Sequence, residues 1–142
     1  MKLQGVLAVA GKPGLHKLAA QGRGGIVVES LVDGRKFPIP STAQVSALQD
    51  ISMYTYSEEK PLREVFAAMF THLDGNEAPS HKSSAQELQD FLRAVLPEYD
   101  EDRVYTSDIK KLVQWYNLLL KFELVNGNPE EEEEENQEKP AE

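Results

Sequence analysis

The spacing of apolar residues changes once along this chain of 142 residues, close to residue 56. Before that position, short apolar runs alternate with turns rich in glycine and proline, which is typical of β-strands. After it, apolar residues recur every three or four positions, which is the period of amphipathic helices. Strands followed by helices predict an α+β fold, and a hydrophobic fraction of 40% suits a soluble protein with its own core.

The first ten residues fit two structures. Leu3, Val6, Leu7 and Ala10 lie at helical spacing, and the glycine that follows would end a helix there. A strand through residues 6–10 fits the same segment. As a secretory signal the segment is too short, since five apolar residues stand where about 7–15 are needed. We therefore expect a cytoplasmic protein, which agrees with a sequence that has no cysteine.

Residues 15–56 predict a small antiparallel sheet of short strands. Asp33-Gly34 is a favoured hairpin turn, because both positions tolerate the positive φ of a type I′ turn. Pro38 and Pro40 lack amide hydrogens, so the strand that carries them belongs at a sheet edge. Short strands joined by tight turns predict an SH3-like small β-barrel, or a half-barrel, closed by a helix. The predicted strands cover residues 15–20, 26–32, 35–39 and 51–56.

Capping signals and apolar stripes define the helical elements. Residues 62–73 carry an unbroken apolar stripe and predict the helix that closes the β module. Ser84 and Glu87 form a capping box, in which each side chain accepts a hydrogen bond from the other residue's amide, and they open a second helix. A third helix covers residues 106–124, so that the last two helices form a hairpin. A further capping box, at residues 41–44, predicts one helical turn within the β module.

These elements divide the chain into four segments. They are residues 1–75, an SH3-like β module with its closing helix; 76–83, a linker; 84–127, a helical domain; and 128–142, a Glu-rich tail. The tail holds eight glutamates and one lysine, and we expect it to be disordered because like charges repel. It supplies most of the formal net charge of −9, whereas the first 56 residues hold six basic and three acidic side chains.

Five segments of the sequence stand out as a set. They are GKPGL at 11–15, VSALQDI at 45–51 with Tyr54 and Thr55 after it, PLREVF at 61–66, LPEYDEDRVYTSDIKK at 96–111, and WYNLL at 115–119. Together they resemble an uncharacterised family of two domains of unknown function that is common in Bacteroidetes-type bacteria. The resemblance covers about residues 1–125 and implies two adjoining domains followed by a variable charged tail. It implies no activity and no catalytic residue, and the chain departs from the family pattern at His16, where we expect an aromatic residue.

The sequence lacks motifs for catalysis and for metal or cofactor binding. Without cysteine there is no thiolate nucleophile or zinc–thiolate site, and the three histidines do not have the spacing of metal ligands. The GKPG run at residues 11–14 does not have the spacing of a phosphate-binding loop, and its proline removes an amide donor. No serine lies in a Gly-x-Ser-x-Gly motif. We therefore expect no enzymatic activity, no cofactor, no metal and no small-molecule substrate.

Two groups of basic residues are candidates for nucleic-acid binding. Small β modules bind nucleic acids with basic loops and exposed rings, since phosphates attract the cations and bases stack on the rings. A capped helix with cations in its first turns can instead enter a groove. The first group is Lys12, Lys17, Arg23, Arg35, Lys36 and Phe37, and the second is Arg103, Lys110 and Lys111. The alternative for both groups is that the charges are solvated and that Phe37 belongs to the core.

The third predicted helix is apolar around more than half of its circumference. Trp115, Leu118 and Phe122 lie beside its inward face, so they either pack against the β module or bind a partner. We favour a non-enzymatic, cytoplasmic interaction module that acts through contacts with an unidentified protein partner. The alternative function is weak binding of RNA or DNA by the basic β module. No apolar run approaches the ~20 residues that cross a bilayer, so we expect no membrane partner.

Overall fold

The structure, a computed structural model, describes residues 1–12 and 14–130. Within these residues the strands precede the helices, and the α+β fold is confirmed. The strands are β1 (Val6–Val9), β2 (His16–Gly22), β3 (Gly25–Ser30), β4 (Lys36–Pro40), β5 (Val45–Ala47), β6 (Ser52–Tyr54) and β7 (Glu59–Pro61). The helices are α1 (Leu62–Leu73), α2 (Ala85–Val95) and α3 (Thr106–Lys121), and a 3₁₀ turn (Leu48–Asp50) lies between β5 and β6.

Local signals in the sequence set the ends of the helices. α1 ends at Asp74, whose φ of 55° is in the left-handed region that closes many helices. α2 begins with the predicted capping box, in which the Glu87 amide donates to Ser84 Oγ and the Ser84 amide donates to Glu87 Oε1, each at 3.1 Å. At the start of α3 the Tyr105 amide donates to Asp108 Oδ2 at 2.9 Å. These bonds satisfy amides that a helix leaves without partners at its first turn.

The main sheet is open. Five strands form it in the antiparallel order β4-β3-β2-β1-β5, and β6 pairs with β7 in a separate two-stranded sheet. Across residues 1–12 and 14–130 no ladder joins β4 to β5, so the predicted small closed barrel is not found. Both edges are poorly suited to pairing, because Pro38 and Pro40 of β4 cannot donate to a ladder and β5 is three residues long.

β1 is a strand, so the helix considered for this segment is wrong and the alternative strand is confirmed. β1 pairs with β2 and β5, and Leu7 lies opposite both His16 and Ala47. Pairing on two sides gives the backbone N–H and carbonyl groups of β1 their hydrogen-bond partners. This outweighs the helical spacing of its apolar residues. The same pairing overrides the helical turn predicted at residues 41–44, because the chain there leads into β5 and the 3₁₀ turn begins only at Leu48.

The hairpin predicted at Asp33-Gly34 joins β3 to β4, but its turn is wider than a type I′ turn. Gly34 has a φ of 77°, whereas Asp33 does not have a positive φ. The Ser30 amide donates to the Arg35 carbonyl at 2.8 Å, which leaves four residues between these two. Asp33 Oδ1 accepts a 3.0 Å hydrogen bond from the Arg35 amide, so the aspartate side chain stabilises the turn locally.

A continuous hydrophobic core joins the sheet to the helices. Leu15 and Leu48 from the strand region are fully buried in the same cluster as Phe66 of α1 and Tyr116 of α3. A second, smaller cluster lies on the sheet itself, and Phe37 packs against it. The buried members of the smaller cluster are Val9, Val28 and Ile39. The helices therefore rest directly on the strands.

The segment predicted as a linker, residues 76–83, contacts α3. Asn117 Oδ1 accepts a hydrogen bond from the Ala78 amide at 2.7 Å, and Asn117 Nδ2 donates to the Ala78 carbonyl at 3.2 Å. The Tyr116 hydroxyl donates to the Asn76 carbonyl at 3.3 Å. Side chains of α3 thus hold this segment in place.

The Glu-rich tail predicted at residues 128–142 lies largely outside the described residues, which end at residue 130. At that end the α-amino group of Met1 donates to the carbonyls of Asn128 and Glu130, at 3.2 and 2.8 Å. None of the three helices in the described part of the chain has the length and apolarity needed to cross a bilayer.

Candidate functional site

Two adjoining clefts lie between α3 and the strands. The larger cleft, about 480 Å³, is lined by β1, β5 and α3. The smaller cleft, about 250 Å³, is lined by β6 and the first half of α3. Ile51, Lys111 and Trp115 line both clefts, so the two adjoin along α3, and we name the pair the α3 groove.

Small residues form the strand side of the larger cleft. Ala8 and Ser46 lie opposite each other in the β1–β5 ladder, so their side chains share one face of the sheet. Gly11 continues this lining past the end of β1. Because these side chains are short, they leave a gap below α3 that a larger residue would fill. Gln114 and Trp115 line the opposite side.

The smaller cleft has an apolar floor and a cation–ring pair in its wall. Met53, Leu62 and Leu112 are buried residues that contribute to its lining. The guanidinium of Arg103 lies 4.1 Å from the ring centroid of Tyr54, which is cation–π geometry. Tyr54 is 40% exposed, so its ring is accessible at the edge of the cleft.

An ion pair fixes the position of Arg103. Its Nε donates to Asp100 Oδ2 at 3.0 Å, and the Asp102 amide donates to Asp100 Oδ1 at 3.0 Å. The hydrogen bond from Arg103, helped by the backbone amides, holds the pKa of Asp100 below its usual value. The carboxylate therefore stays charged at neutral pH and keeps Arg103 beside Tyr54.

Lys12 lines the larger cleft and lies over a ring of β4. Its Nζ is 4.7 Å from the ring centroid of Phe37. The ring of His16 meets the same phenyl ring edge-on, with 5.4 Å between centroids. His16 is 2% exposed, and burial, followed by the charge of Lys12, lowers its pKa. The imidazole is therefore neutral at pH 7.

The structure brings three of the predicted nucleic-acid-binding residues together. Lys12, Arg103 and Lys111 all line the α3 groove. Lys110 is exposed on α3 next to Lys111, but it does not line either cleft. The two groups that the sequence suggested thus contribute to one surface, with Lys12 from the first group and Arg103 and Lys111 from the second.

The remaining residues of the first basic group are spread over the sheet. Lys17 and Lys36 lie on either side of Glu29 in the β2–β3–β4 ladder, so a carboxylate separates them. Arg23 lies in the β2–β3 turn, and Arg35 follows the opposite end of β3. The six residues of β3 hold these two arginines about 20 Å apart. These cations do not form one basic surface.

The residues predicted to contact a protein differ in how they are placed. Trp115 lines both clefts and is half-buried against the main core. Leu118 is half-buried and packs against the main core, as the packing alternative predicts. Phe122 is 45% exposed just beyond the end of α3, with Lys121 Nζ 5.9 Å from its ring centroid. Of these three residues, only Trp115 lines the α3 groove.

Sequence reasoning missed the strand side of the groove and Tyr54. Ala8 and Ser46 come together only through the long-range pairing of β1 with β5, for which short apolar residues give no local signal. Tyr54 had a usable signal, since an aromatic residue on the outward side of a short alternating strand is a candidate for a contact surface.

The lining of the groove combines apolar surface, rings and cations. Its carboxylate, Asp108, accepts the hydrogen bond from the Tyr105 amide that caps α3. Within the described ranges, no three histidine, aspartate or glutamate side chains converge where they could hold a metal ion. These groups can contact an apolar chain and an anion at the same time.

Comparisons with known proteins assign the strand side and the helix side of the larger cleft to two domains, and the whole lining of the smaller cleft to the second domain. A family model described as Domain of unknown function (DUF5606) matches residues 3–48, which include β1 and β5. A second, described as Domain of unknown function (DUF6852), matches residues 51–119, which include most of α3. A solution NMR structure from Bacteroides vulgatus, a structural genomics target, is 40% identical with a TM-score of 0.72, and the match covers 93% of this chain and 98% of that chain. No curated protein matches the sequence.

Proposed function

The chain belongs to the uncharacterised family formed by these two adjoining domains, and we propose that it is a non-enzymatic, cytoplasmic module that binds a protein partner in the α3 groove. One observation supports this most strongly. Trp115, Tyr54 and Arg103 line a single depression over an apolar floor. Tryptophan, tyrosine and arginine are the residues most enriched among those that dominate binding energy at protein interfaces.

The shape of the groove supports the same proposal. Its two clefts connect through Trp115 and Lys111, so a partner can lie along α3 instead of being enclosed. The larger cleft is also built from both family domains, and ligand sites occur preferentially between domains.

Partner recovery by variants of the immobilised chain tests this proposal. We expect Trp115→Ala to lower recovery of the partner from a bacterial lysate by about tenfold, because it removes the ring shared by both clefts. Tyr54→Ala provides a second variant, since Tyr54 is more exposed and its loss affects folding less. Urea unfolding of each variant establishes that it is folded before its binding is compared.

Phe122→Ala is the matched control, because Phe122 is an exposed aromatic residue just after the same helix and does not line either cleft. We expect it to recover the partner as well as the wild type does. Equal recovery by the wild type and folded Trp115→Ala and Tyr54→Ala variants would contradict the proposal. If only Phe122→Ala loses the partner, the partner contacts the end of α3 and not the groove.

A second candidate function is weak binding of RNA or DNA. It is favoured by Lys12, Arg103 and Lys111, which line the same groove as two aromatic residues. A single strand that binds through about three phosphates releases counterions. The logarithm of its association constant should then fall linearly with the logarithm of the salt concentration, with a slope of about −2. A fluorescence titration of an oligonucleotide checks this, and no binding at low salt would exclude the function.

A further inference from the structure

We infer that the α3 groove takes an extended peptide segment in which acidic side chains flank an apolar anchor. The inference rests on the proposed function and specifies the chemistry of the partner. It follows from the size of the groove, its apolar floor and the signs of the charges along it.

The length of the groove corresponds to a short extended segment. Its lining follows α3 from Asp108 to Trp115, which is about 10 Å along a helix axis. Three residues of an extended chain cover about the same distance. Arg103 lines the smaller cleft and Lys12 the larger one, so a segment of about six residues, about 20 Å long, can contact both cations.

The apolar floor provides the site for the anchor. In the smaller cleft Met53, Leu62 and Leu112 form a buried surface that Trp115 borders on one side. An aliphatic side chain placed there removes its own surface and part of the indole ring from water. Full burial of such a side chain is worth about 2 kcal/mol before the costs of ordering the peptide are counted.

The charges of the groove favour acidic neighbours for that anchor. Lys12, Lys111 and Arg103 follow one another along the lining, in a chain whose formal net charge is −9. The carboxylates nearby already have partners, since Asp100 pairs with Arg103 and Asp108 caps α3. Lys111 makes no ion pair within the described residues. Its charge is the one most available to a partner.

A peptide fits these observations better than a nucleic acid. Bases bind by stacking on open ring faces, whereas Arg103 lies over one face of the Tyr54 ring and Trp115 packs half-buried against the core. The acidic tail of the chain is also a poor occupant. It has many carboxylates, but residues 128–142 contain no large aliphatic or aromatic side chain for the apolar floor.

The emission of Trp115 tests the inference directly, because it is the single tryptophan of the chain. The probe is a blocked peptide of about six residues that alternates glutamate and leucine, titrated into the full-length protein to about 1 mM. We expect a saturable shift of the emission. Peptides that replace glutamate by lysine, or leucine by serine, should shift the emission at least fivefold less at equal concentration.

Two lysine variants give the matched comparison. We expect Lys111→Gln to lower the affinity for the glutamate–leucine peptide by about threefold, because it removes one partly exposed charge pair. We expect Lys110→Gln to leave this affinity unchanged. Equal binding of the lysine–leucine peptide, equal effects of the two variants, or no saturable shift would overturn the inference. So would tighter binding of a single-stranded oligonucleotide or of the tail peptide 128–142. Recovery of a partner that depends on Trp115 would still support the proposed function in each case.

Discussion

His16 is a histidine buried in the sheet. Its ring contacts Phe37 edge-on, and its Nδ1 has no hydrogen-bond partner within the described residues. Lys12 and Asp33 are the charged groups that act on it, the first lowering and the second raising its pKa, and burial has the largest effect. An aromatic side chain would make the same ring contact without an unsatisfied nitrogen.

The lowered pKa of His16 predicts that acid destabilises the protein. The unfolded imidazole has the ordinary pKa of 6.5 and the folded one a lower value, so below pH 6.5 the unfolded state binds more protons. The free energy of unfolding therefore falls as the pH drops from 6.5 towards the folded pKa, with a limiting slope of about 1.4 kcal/mol per pH unit from this residue. Above pH 6.5 its contribution is constant. Urea unfolding from about pH 7.5 to about pH 5 measures the slope.

Comparison of the wild type with His16→Phe separates the pH dependence caused by His16 from that caused by the carboxylates, because the carboxylates titrate in both proteins. We expect the variant to lose the part of the pH dependence that His16 causes and to keep the edge-on contact with Phe37. The difference in the free energy of unfolding between the two proteins should thus change below pH 6.5. A difference that stays constant over the whole range would show that the imidazole does not titrate differently on folding.

At the scale of elements, Asn117 connects α3 to the segment between α1 and α2. Its amide group pairs with both the N–H and the carbonyl of Ala78, at 2.7 and 3.2 Å, and Ala78 is buried. We expect Asn117→Ala to lower the free energy of unfolding by about 2 kcal/mol, because both backbone groups lose their partner. Urea unfolding measures this change.

Asn76→Ala is the control for this element. The Asn76 side chain is exposed and donates to the Leu73 carbonyl at 3.0 Å on the surface, so its removal should change stability by about 0.5 kcal/mol or less. Equal effects of the two asparagine variants would mean that the Ala78 pairing adds nothing to stability. A large effect of Asn117→Ala alone would establish this segment as part of the fold.

The sequence predicts elements well where their signals are local. The Ser84–Glu87 capping box and the apolar stripe of α1 are readable within one or two helical turns, so α1 covers the predicted residues and α2 begins where predicted. The edge position of β4 follows from its prolines for the same reason. β1 was predicted only as an alternative to a helix and β5 was not predicted, because the pairing of these two strands spans about 40 residues of chain and leaves no local signal. The strand side of the α3 groove was missed with them.

At the scale of the molecule, two domains share one core. The match to the first domain ends at residue 48 and the match to the second begins at 51, yet Leu15 and Leu48 are buried with Phe66 and Tyr116. The smaller cluster on the sheet has only three buried members, too few to stabilise a sheet alone. The sheet therefore depends on the helices for most of its buried surface, and the groove between them depends on both.

This shared core predicts that the whole molecule unfolds in one transition. We expect the Trp115 emission, which reports on α3, and the amide resonance of Val28, which reports on strand β3 of the sheet, to give the same urea midpoint. Leu48→Ala should lower both midpoints together, because it removes a fully buried contact between the domains at a cost of about 3 kcal/mol. A Val28 amide that is lost at lower urea than the Trp115 signal, in the wild type or in the variant, would show instead that the two domains unfold separately. In that case the groove would open before the helices unfold, and peptide binding would fail at the lower of the two midpoints.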